Sequence, residues 1–161
     1  AAEVEVRPGE TATAKVTLTQ GEQLLLDGTE ALGSGDLDRA QQLLSRAQGL
    51  LGRSASKAQL SVLGYQQGRL LEAQGRWVDA MGAYERLGKR GAGGADRAQL
   101  DEAVARVATH LGRLKVGKVV DGKCQTTQLW LPPGTHEIDV GSGSKEVRVR
   151  AGETLTVQAC E

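Results

Sequence analysis

The feature that most constrains the fold is a residue pattern that occurs twice along the chain, at an offset of 40 residues. Both copies place small residues where two helices could approach closely and a glycine where the chain could turn. The matched positions are Gly28 and Gly68, Gly35 and Gly75, Ala40 and Ala80, Leu44 and Tyr84, and Ala47 and Leu87. This repeat predicts two helix pairs of the same design, one after the other in the sequence.

Helical periodicity and capping signals give the bounds of these pairs. Thr19 and Glu22 have the spacing of a capping box, in which each side chain accepts a hydrogen bond from the other residue's backbone N–H. The predicted first pair covers residues 20–33 and 36–51, and the second covers residues 55–74 and 77–90. A further amphipathic stripe after the glycine-rich stretch 91–95 predicts a closing helix that ends near residue 111.

Beyond residue 112 the apolar pattern changes from the period of a helix to the alternation of β-strands. Asp121-Gly122 and Pro132-Pro133-Gly134 supply turn residues between apolar segments. The predicted strands cover residues 114–120, 128–131, 136–140, 146–150 and 154–158. We therefore predict an α+β fold, in which two helix pairs and a closing helix precede a small antiparallel β-sandwich at the C-terminus.

Residues 3–13 repeat a sequence from the other end of the chain. They match residues 146–156 at eight of eleven positions, and Pro8-Gly9 suits the centre of a type II turn. The match predicts a β-hairpin over residues 3–18. An isolated hairpin is only marginally stable in water, so we expect it to join the C-terminal sheet of the same chain or that of a neighbouring molecule. The second alternative would form homo-oligomers by strand addition.

These patterns divide the chain into three predicted segments. Residues 1–18 form the hairpin, residues 19–111 form the helical domain and residues 112–161 form the β-domain. A chain of 161 residues is long enough for one ordinary domain or two small ones, which fits this division.

Composition argues against several classes of function. Twenty Lys and Arg balance twenty Asp and Glu, so the basic surplus that nucleic-acid binding requires is missing. No apolar run reaches the roughly 18 residues of a membrane span. The two histidines, His110 and His136, stand in no recognised metal-binding or catalytic motif, and we expect surface roles for both. The sequence therefore predicts a protein that is not an enzyme and uses no metal or cofactor.

The two cysteines, Cys124 and Cys160, both lie in the predicted β-domain and lack the spacing of zinc or thioredoxin-like sites. An even number of cysteines confined to one small module favours a disulfide between them, which would close the β-domain. Two buried thiols are the alternative.

The helix pairs resemble the tetratricopeptide repeat family, in which small and large residues alternate along the seam between paired helices. The period of 40 is longer than the roughly 34 residues typical of that family. In such arrays the first helices of successive pairs line a groove that binds a segment of another protein, so the resemblance implies a protein–protein adaptor. The residues expected to face this groove are Leu25, Thr29, Leu32, Val62, Tyr65, Arg69 and Glu72.

The segments VDGK (120–123), LWLPPGTHEIDV (129–140) and VRVRAGET (147–154) resemble the PEGA family, small β-modules that accompany bacterial surface and envelope proteins. The resemblance implies an extracytoplasmic location, in the periplasm or at the cell surface. It also implies an alternative function, the binding of a cell-wall glycan or another surface polymer by the β-domain. Sugar rings need exposed aromatic side chains to lie on, and Trp130 is the candidate in this domain.

Overall fold

A computed structural model of the chain describes residues 8–9, 18–91, 95–141 and 143–158. Within these ranges the fold is α+β, with five α-helices followed by five β-strands, as predicted. The chain divides into two compact units, Ala1–Ala55 and Ser56–Glu161. Among the described residues, no helix has both the length and the apolar character needed to cross a membrane.

The helices begin and end close to the predicted positions. Their bounds are α1 Gln20–Gly33, α2 Leu37–Leu51, α3 Lys57–Ala73, α4 Trp77–Lys89 and α5 Ala95–Ala108. A short 3₁₀ turn, Gly52–Ser54, follows α2. Helices α1 and α2 belong to the first unit, whereas α3, α4 and α5 belong to the second.

Capping boxes start the first helix of each pair. The Glu22 N–H donates to the Thr19 hydroxyl and the Thr19 N–H donates to the Glu22 carboxylate, both at 3.2 Å, as predicted. Ser56 and Gln59 make the same two bonds at the start of α3, at 3.1 and 2.9 Å. These bonds satisfy backbone N–H groups that have no partner inside the helix, and so each helix begins at a defined residue.

The turn inside each pair uses the same backbone hydrogen bonds, 40 residues apart. In the first turn the N–H groups of Ser34, Gly35 and Asp36 donate to the carbonyls of Glu30, Leu32 and Ala31, respectively. The second turn contains the same three bonds, from Gln74, Gly75 and Arg76 to the carbonyls of Leu70, Glu72 and Leu71. The glycine at each turn has a positive φ, 83° at Gly35 and 72° at Gly75. That conformation favours glycine and explains why both copies of the repeat carry one here.

Inside each pair a large side chain from the second helix packs against a glycine of the first. A Cβ atom on Gly28 would lie 2.9 Å from Leu44 Cδ2, and one on Gly68 would overlap the ring of Tyr84. Neither position has room for a methyl group, because protein interiors are close-packed. The repeated residues therefore hold the two helices of each pair in close contact.

Helix α5 packs on α4 through the predicted apolar stripe. Leu100, Ala103 and Val107 are buried in one cluster with Tyr84 and Met81 of α4. This cluster forms the helical core of the second unit.

The five strands lie in two sheets. Their bounds are β1 Gly112–Val120, β2 Lys123–Leu131, β3 Gly134–Asp139, β4 Ser144–Val149 and β5 Thr154–Gln158. One sheet has the order β2-β1-β5 and the other contains β3 and β4. The β1–β2 hairpin turns at Asp121 and Gly122, whose φ angles of 51° and 73° are both positive, as the favoured two-residue hairpin turns require.

The expectation of a wholly antiparallel arrangement is wrong for one pair of strands. β1 pairs with β2 in the antiparallel direction and β3 pairs with β4 in the same way, but β1 and β5 run parallel. The reason is the path of the chain. After β2 the chain forms a separate two-stranded sheet before it returns to β1, and this detour lets β5 arrive in the same direction as β1.

The core of the β-part draws residues from both sheets. Leu114, Val116 and Val157 of the first sheet are buried in one cluster with residues of the second, which are Ile138, Val147 and Val149. Gly112 lies so close to Val149 that a side chain at this position would overlap it. Alternate residues of β1 and β4 thus face a shared apolar interior.

The end of the helical part is tied to the β-part by backbone hydrogen bonds. The Gly152 N–H donates to the Leu111 carbonyl at 2.9 Å, and the Arg113 N–H donates to the Glu153 carbonyl at 2.8 Å. Leu111 also belongs to the helical core cluster. The compact unit Ser56–Glu161 therefore crosses the predicted boundary between residues 111 and 112, and the division into segments 1–18, 19–111 and 112–161 stays a prediction.

The predicted N-terminal hairpin lies largely outside the described residues. Pro8 and Gly9 form a turn, and Gly9 has a φ of 80°, as expected for the third residue of a type II turn. The two predicted strands on either side of this turn are not among the described residues, and their pairing stays a prediction.

Candidate functional site

Four of the predicted partner-binding residues lie on one face of helix α3. Val62, Tyr65, Arg69 and Glu72 follow the spacing of three and four residues that places side chains along one side of a helix. Val62 is 43% exposed and Arg69 is exposed, while Tyr65 and Glu72 are half-buried. We call these four residues the α3 face.

Two adjoining cavities run along the α3 face. The first has a volume of about 230 Å³ and is lined by Val62, Tyr65 and Arg69 together with Gln99 of α5. The second has a volume of about 470 Å³ and is lined by Tyr65, Arg69, Glu72 and Arg106. The α3 face and residues of α5 therefore border two neighbouring cavities that share Tyr65 and Arg69.

Glu72 is held in place by two other helices. Arg106 of α5 donates to both carboxylate oxygens, from Nε to Oε1 at 2.7 Å and from Nη2 to Oε2 at 2.8 Å. The Tyr84 hydroxyl of α4 donates to Oε2 at 2.5 Å. Such charge-assisted bonds are short and among the stronger hydrogen bonds in proteins. The carboxylate therefore has three donors and a fixed orientation.

The same contacts determine the protonation states of Glu72 and Tyr84. Burial alone would raise the pKa of Glu72, but the bonds from Arg106 and Tyr84 outweigh it, and the pKa lies below its usual value of 4.5. Burial is the largest cause that raises the pKa of Tyr84, and the hydrogen bond to Glu72 is the second largest. At neutral pH the carboxylate is ionised, and Tyr84 keeps the proton that it donates.

Gln66 contributes an unsatisfied acceptor beside the α3 face. Its Oε1 atom is buried and has no hydrogen-bond partner among the described residues, and Gln66 lines the smaller cavity with Tyr65. A buried acceptor without a partner costs free energy. An N–H group that entered this cavity could supply the missing bond.

The predicted residues of α1 have different environments. Leu25 is buried, Leu32 is half-buried, and the Thr29 hydroxyl donates to the Leu25 carbonyl at 2.8 Å inside the helix. These three residues belong to the first compact unit and the α3 face belongs to the second. A single groove shared by α1 and α3 stays a prediction.

Sequence reasoning missed the role of Arg106. This residue is 34 positions away from Glu72, and nothing in the local pattern connects the two. One signal was present, since Arg106 lies three residues after Ala103 and directly before Val107, both members of the buried stripe of α5. A charged residue at the border of an apolar stripe often extends along a neighbouring helix.

The two histidines have structural contacts. The His110 ring stacks on Trp77, with centroids 3.7 Å apart and planes at 4°. His136 Nε2 lies 2.7 Å from the Pro132 carbonyl oxygen. Across the described ranges, no group of three or more His, Cys, Asp or Glu side chains has a geometry that could hold a metal ion.

Trp130 does not provide an open platform for a sugar ring. Its side chain is half-buried and packs against the helical core cluster, and the Arg113 guanidinium lies 5.5 Å from the centre of its ring. The Trp130 ring therefore packs as part of the core, and this position does not favour the binding of a sugar polymer.

Cys124 is an exposed residue of β2. Its predicted partner, Cys160, is outside the described residues. The disulfide therefore stays a prediction.

Searches against family models, curated proteins and solved structures found no match to this chain. The resemblances to the tetratricopeptide and PEGA families consequently rest on the motifs quoted above.

Proposed function

We propose that this chain is a non-catalytic interaction module that binds a segment of another protein along the α3 face. The observation that carries the proposal is the α3 face itself. Exposed Val62 and Arg69 and the half-buried ring of Tyr65 border two adjoining cavities, beside a fixed carboxylate and an unsatisfied acceptor. Interfaces concentrate their binding energy in a few residues of these types, with tyrosine and arginine enriched among them.

Each residue of the α3 face has a distinct task in this proposal. Val62 and the ring of Tyr65 bury apolar surface of the partner, and Arg69 pairs with a partner carboxylate. Gln66 Oε1 accepts a hydrogen bond from a partner N–H. Glu72 is fully engaged with Tyr84 and Arg106, so its task is to position Arg106 and α5.

We further propose that the two helix pairs form a short array of the tetratricopeptide kind. The identical turn hydrogen bonds at an offset of 40 residues support this assignment, as does the contact of a large side chain with a glycine in both pairs. In this proposal Thr29 and Leu32 lie on the corresponding face of the first helix pair.

For the β-part we propose a PEGA-like module with a sandwich arrangement, supported by the cluster that both sheets share. The proposal places the chain outside the cytoplasm, in the bacterial cell envelope, and it rests on the sequence motifs of this segment. Strand addition by residues 3–18 would provide a route to oligomers.

Site-specific photocrosslinking tests the binding surface. The photoreactive residue p-benzoylphenylalanine would be placed at Tyr65 in one variant and, as a matched control, at Glu85, an exposed residue of α4 that lines neither cavity. After irradiation in envelope extract, we expect a discrete crosslinked protein with the first variant and none with the control.

The captured protein must then bind the purified chain. The double variant Tyr65→Ala and Arg69→Ala should reduce this affinity at least tenfold, whereas Glu85→Ala should leave it unchanged. Equal crosslinking at both positions, or unchanged affinity of the double variant, would contradict the proposal.

A further inference from the structure

A third cavity of about 340 Å³ lies against another face of α3 and shares Ser61 and Leu87 with the smaller cavity of the α3 face. Its apolar wall consists of Leu60, Gly64 and Leu87, and Gly91 closes it at the end of α4. Leu60 is 40% exposed, so part of this apolar wall faces solvent. We call this the α3–α4 cavity.

The first helix pair shows why this cavity exists. At an offset of 40 residues, the counterparts of Gly64 and Gly91 are Leu24 and Leu51, and both leucines are buried. Leu51 packs so closely on α1 that a Cβ atom on Gly21 would lie 2.9 Å from its Cδ2 atom. The second pair lacks these two side chains. Leu87, the counterpart of Ala47, takes up part of the space, since a Cβ atom on Gly64 would lie 3.4 Å from its Cδ1 atom, and the cavity is what remains beside Gly64 and Gly91.

The charges around the α3–α4 cavity have one sign. Lys57, Arg86 and Arg90 line it, and no carboxylate of the described residues does. Within the described ranges, none of these three cations forms an ion pair. An apolar pocket with three uncompensated cations attracts a ligand that is apolar at its centre and acidic at its edges.

We propose that the α3–α4 cavity is a second docking site, which receives a partner segment with two adjacent leucine-sized side chains flanked by carboxylates. The leucine pair occupies the open space beside Gly64, Leu87 and Gly91. The carboxylates pair with Lys57, Arg86 and Arg90. The site adjoins the smaller cavity of the α3 face at Ser61 and Leu87, but Leu60 and Gly64 lie on a different side of the helix from Tyr65 and Arg69.

Synthetic peptides provide the probe. Fluorescence anisotropy would measure binding of a labelled peptide in which a leucine pair is flanked by glutamates. Two control peptides are matched to it. One has alanines in place of the leucines, and the other has lysines in place of the glutamates. We expect saturable binding of the first peptide and at least tenfold weaker binding of both others.

Substitutions in the cavity test the location. Gly64→Leu introduces the residue of the first pair into the cavity, so peptide binding should fall at least tenfold. Circular dichroism must show that this variant is folded, because Leu87 Cδ1 lies 3.4 Å from the Cβ position of residue 64. Gly64→Ala, a smaller change in the same helix, should have an intermediate effect. Arg86→Glu with Arg90→Glu should also abolish binding, whereas Arg97→Glu, an exposed position outside the cavity, should not.

The α3 face variant separates this proposal from the first one. Tyr65→Ala with Arg69→Ala should bind the acidic leucine peptide as well as the unmodified chain does. The proposal fails if the peptide shows no saturable binding, if the lysine peptide binds equally well, or if a folded Gly64→Leu variant binds with unchanged affinity.

Discussion

Tyr84→Phe tests whether the Glu72 carboxylate is held as the structure indicates. The substitution removes one hydroxyl and keeps the ring, which is fully buried against Gly68. The lost bond is a charge-assisted one of 2.5 Å to a carboxylate whose side chain is 10% exposed, so water cannot easily replace it. Hydrogen bonds to charged groups contribute about 1.5–3 kcal/mol. Because both bonds from Arg106 remain, we expect a loss near the lower end, about 1.5–2 kcal/mol of unfolding free energy.

Urea denaturation followed by tryptophan fluorescence is a suitable assay. Both tryptophans, Trp77 and Trp130, lie in the second compact unit, so the signal reports the unit that contains the substitution. Tyr65→Phe is the matched control. It removes the same hydroxyl from a ring 5.9 Å away that makes no hydrogen bond to any described residue.

The effect should also depend on pH. The pKa of Glu72 is lower in the folded chain than its usual value of 4.5, so the stability that ionised Glu72 contributes is complete at neutral pH. This contribution is lost as the pH falls through the lowered pKa. The difference between the unmodified chain and Tyr84→Phe should therefore shrink in acid. A loss of less than about 0.5 kcal/mol at pH 7, or an equal loss in Tyr65→Phe, would refute the reasoning.

Three further predictions concern other parts of the chain. Ala40→Leu and Ala80→Leu should each destabilise the helical region by about 1–3 kcal/mol, because both positions are fully buried and have no room for a larger side chain. Thermal unfolding followed by circular dichroism measures this loss, and Ala98→Leu, at an exposed position, is the control. Cys124 and Cys160 should be joined by a disulfide, and mass spectrometry that finds two alkylatable thiols in unreduced protein would disprove it. Residues 3–18 should show slow amide hydrogen exchange because they pair with β-structure, and rapid exchange throughout this segment would rule out pairing within or between chains.

Local signals in the sequence were sufficient for the helix bounds and several turns. Thr19 with Glu22 predicted the start of α1, and Gly75 predicted the turn between α3 and α4. Asp121 and Gly122 predicted the β1–β2 hairpin in the same way. Each of these signals acts through hydrogen bonds or backbone angles within a few residues, so sequence neighbours alone carry the information.

The candidate site could be predicted only in part. Helical spacing correctly placed Val62, Tyr65, Arg69 and Glu72 on one face of α3, because that spacing follows from the geometry of a single helix. The orphaned acceptor of Gln66 and the pairing of Glu72 with Arg106 depend on how α5 packs, and no local pattern contains that information.

By itself, the sequence determined the alternation of helices and strands, the repeat with a period of 40, and the glycine positions where large side chains pack. Only the tertiary structure decided that β5 runs parallel to β1, that α5 supplies Arg106 to Glu72, and that the α3–α4 cavity lies between three cations. The physical reason is the range of the interactions. Caps and turns form between residues a few positions apart, whereas strand partners, ion pairs between helices and cavities depend on distant segments that meet only when the chain packs.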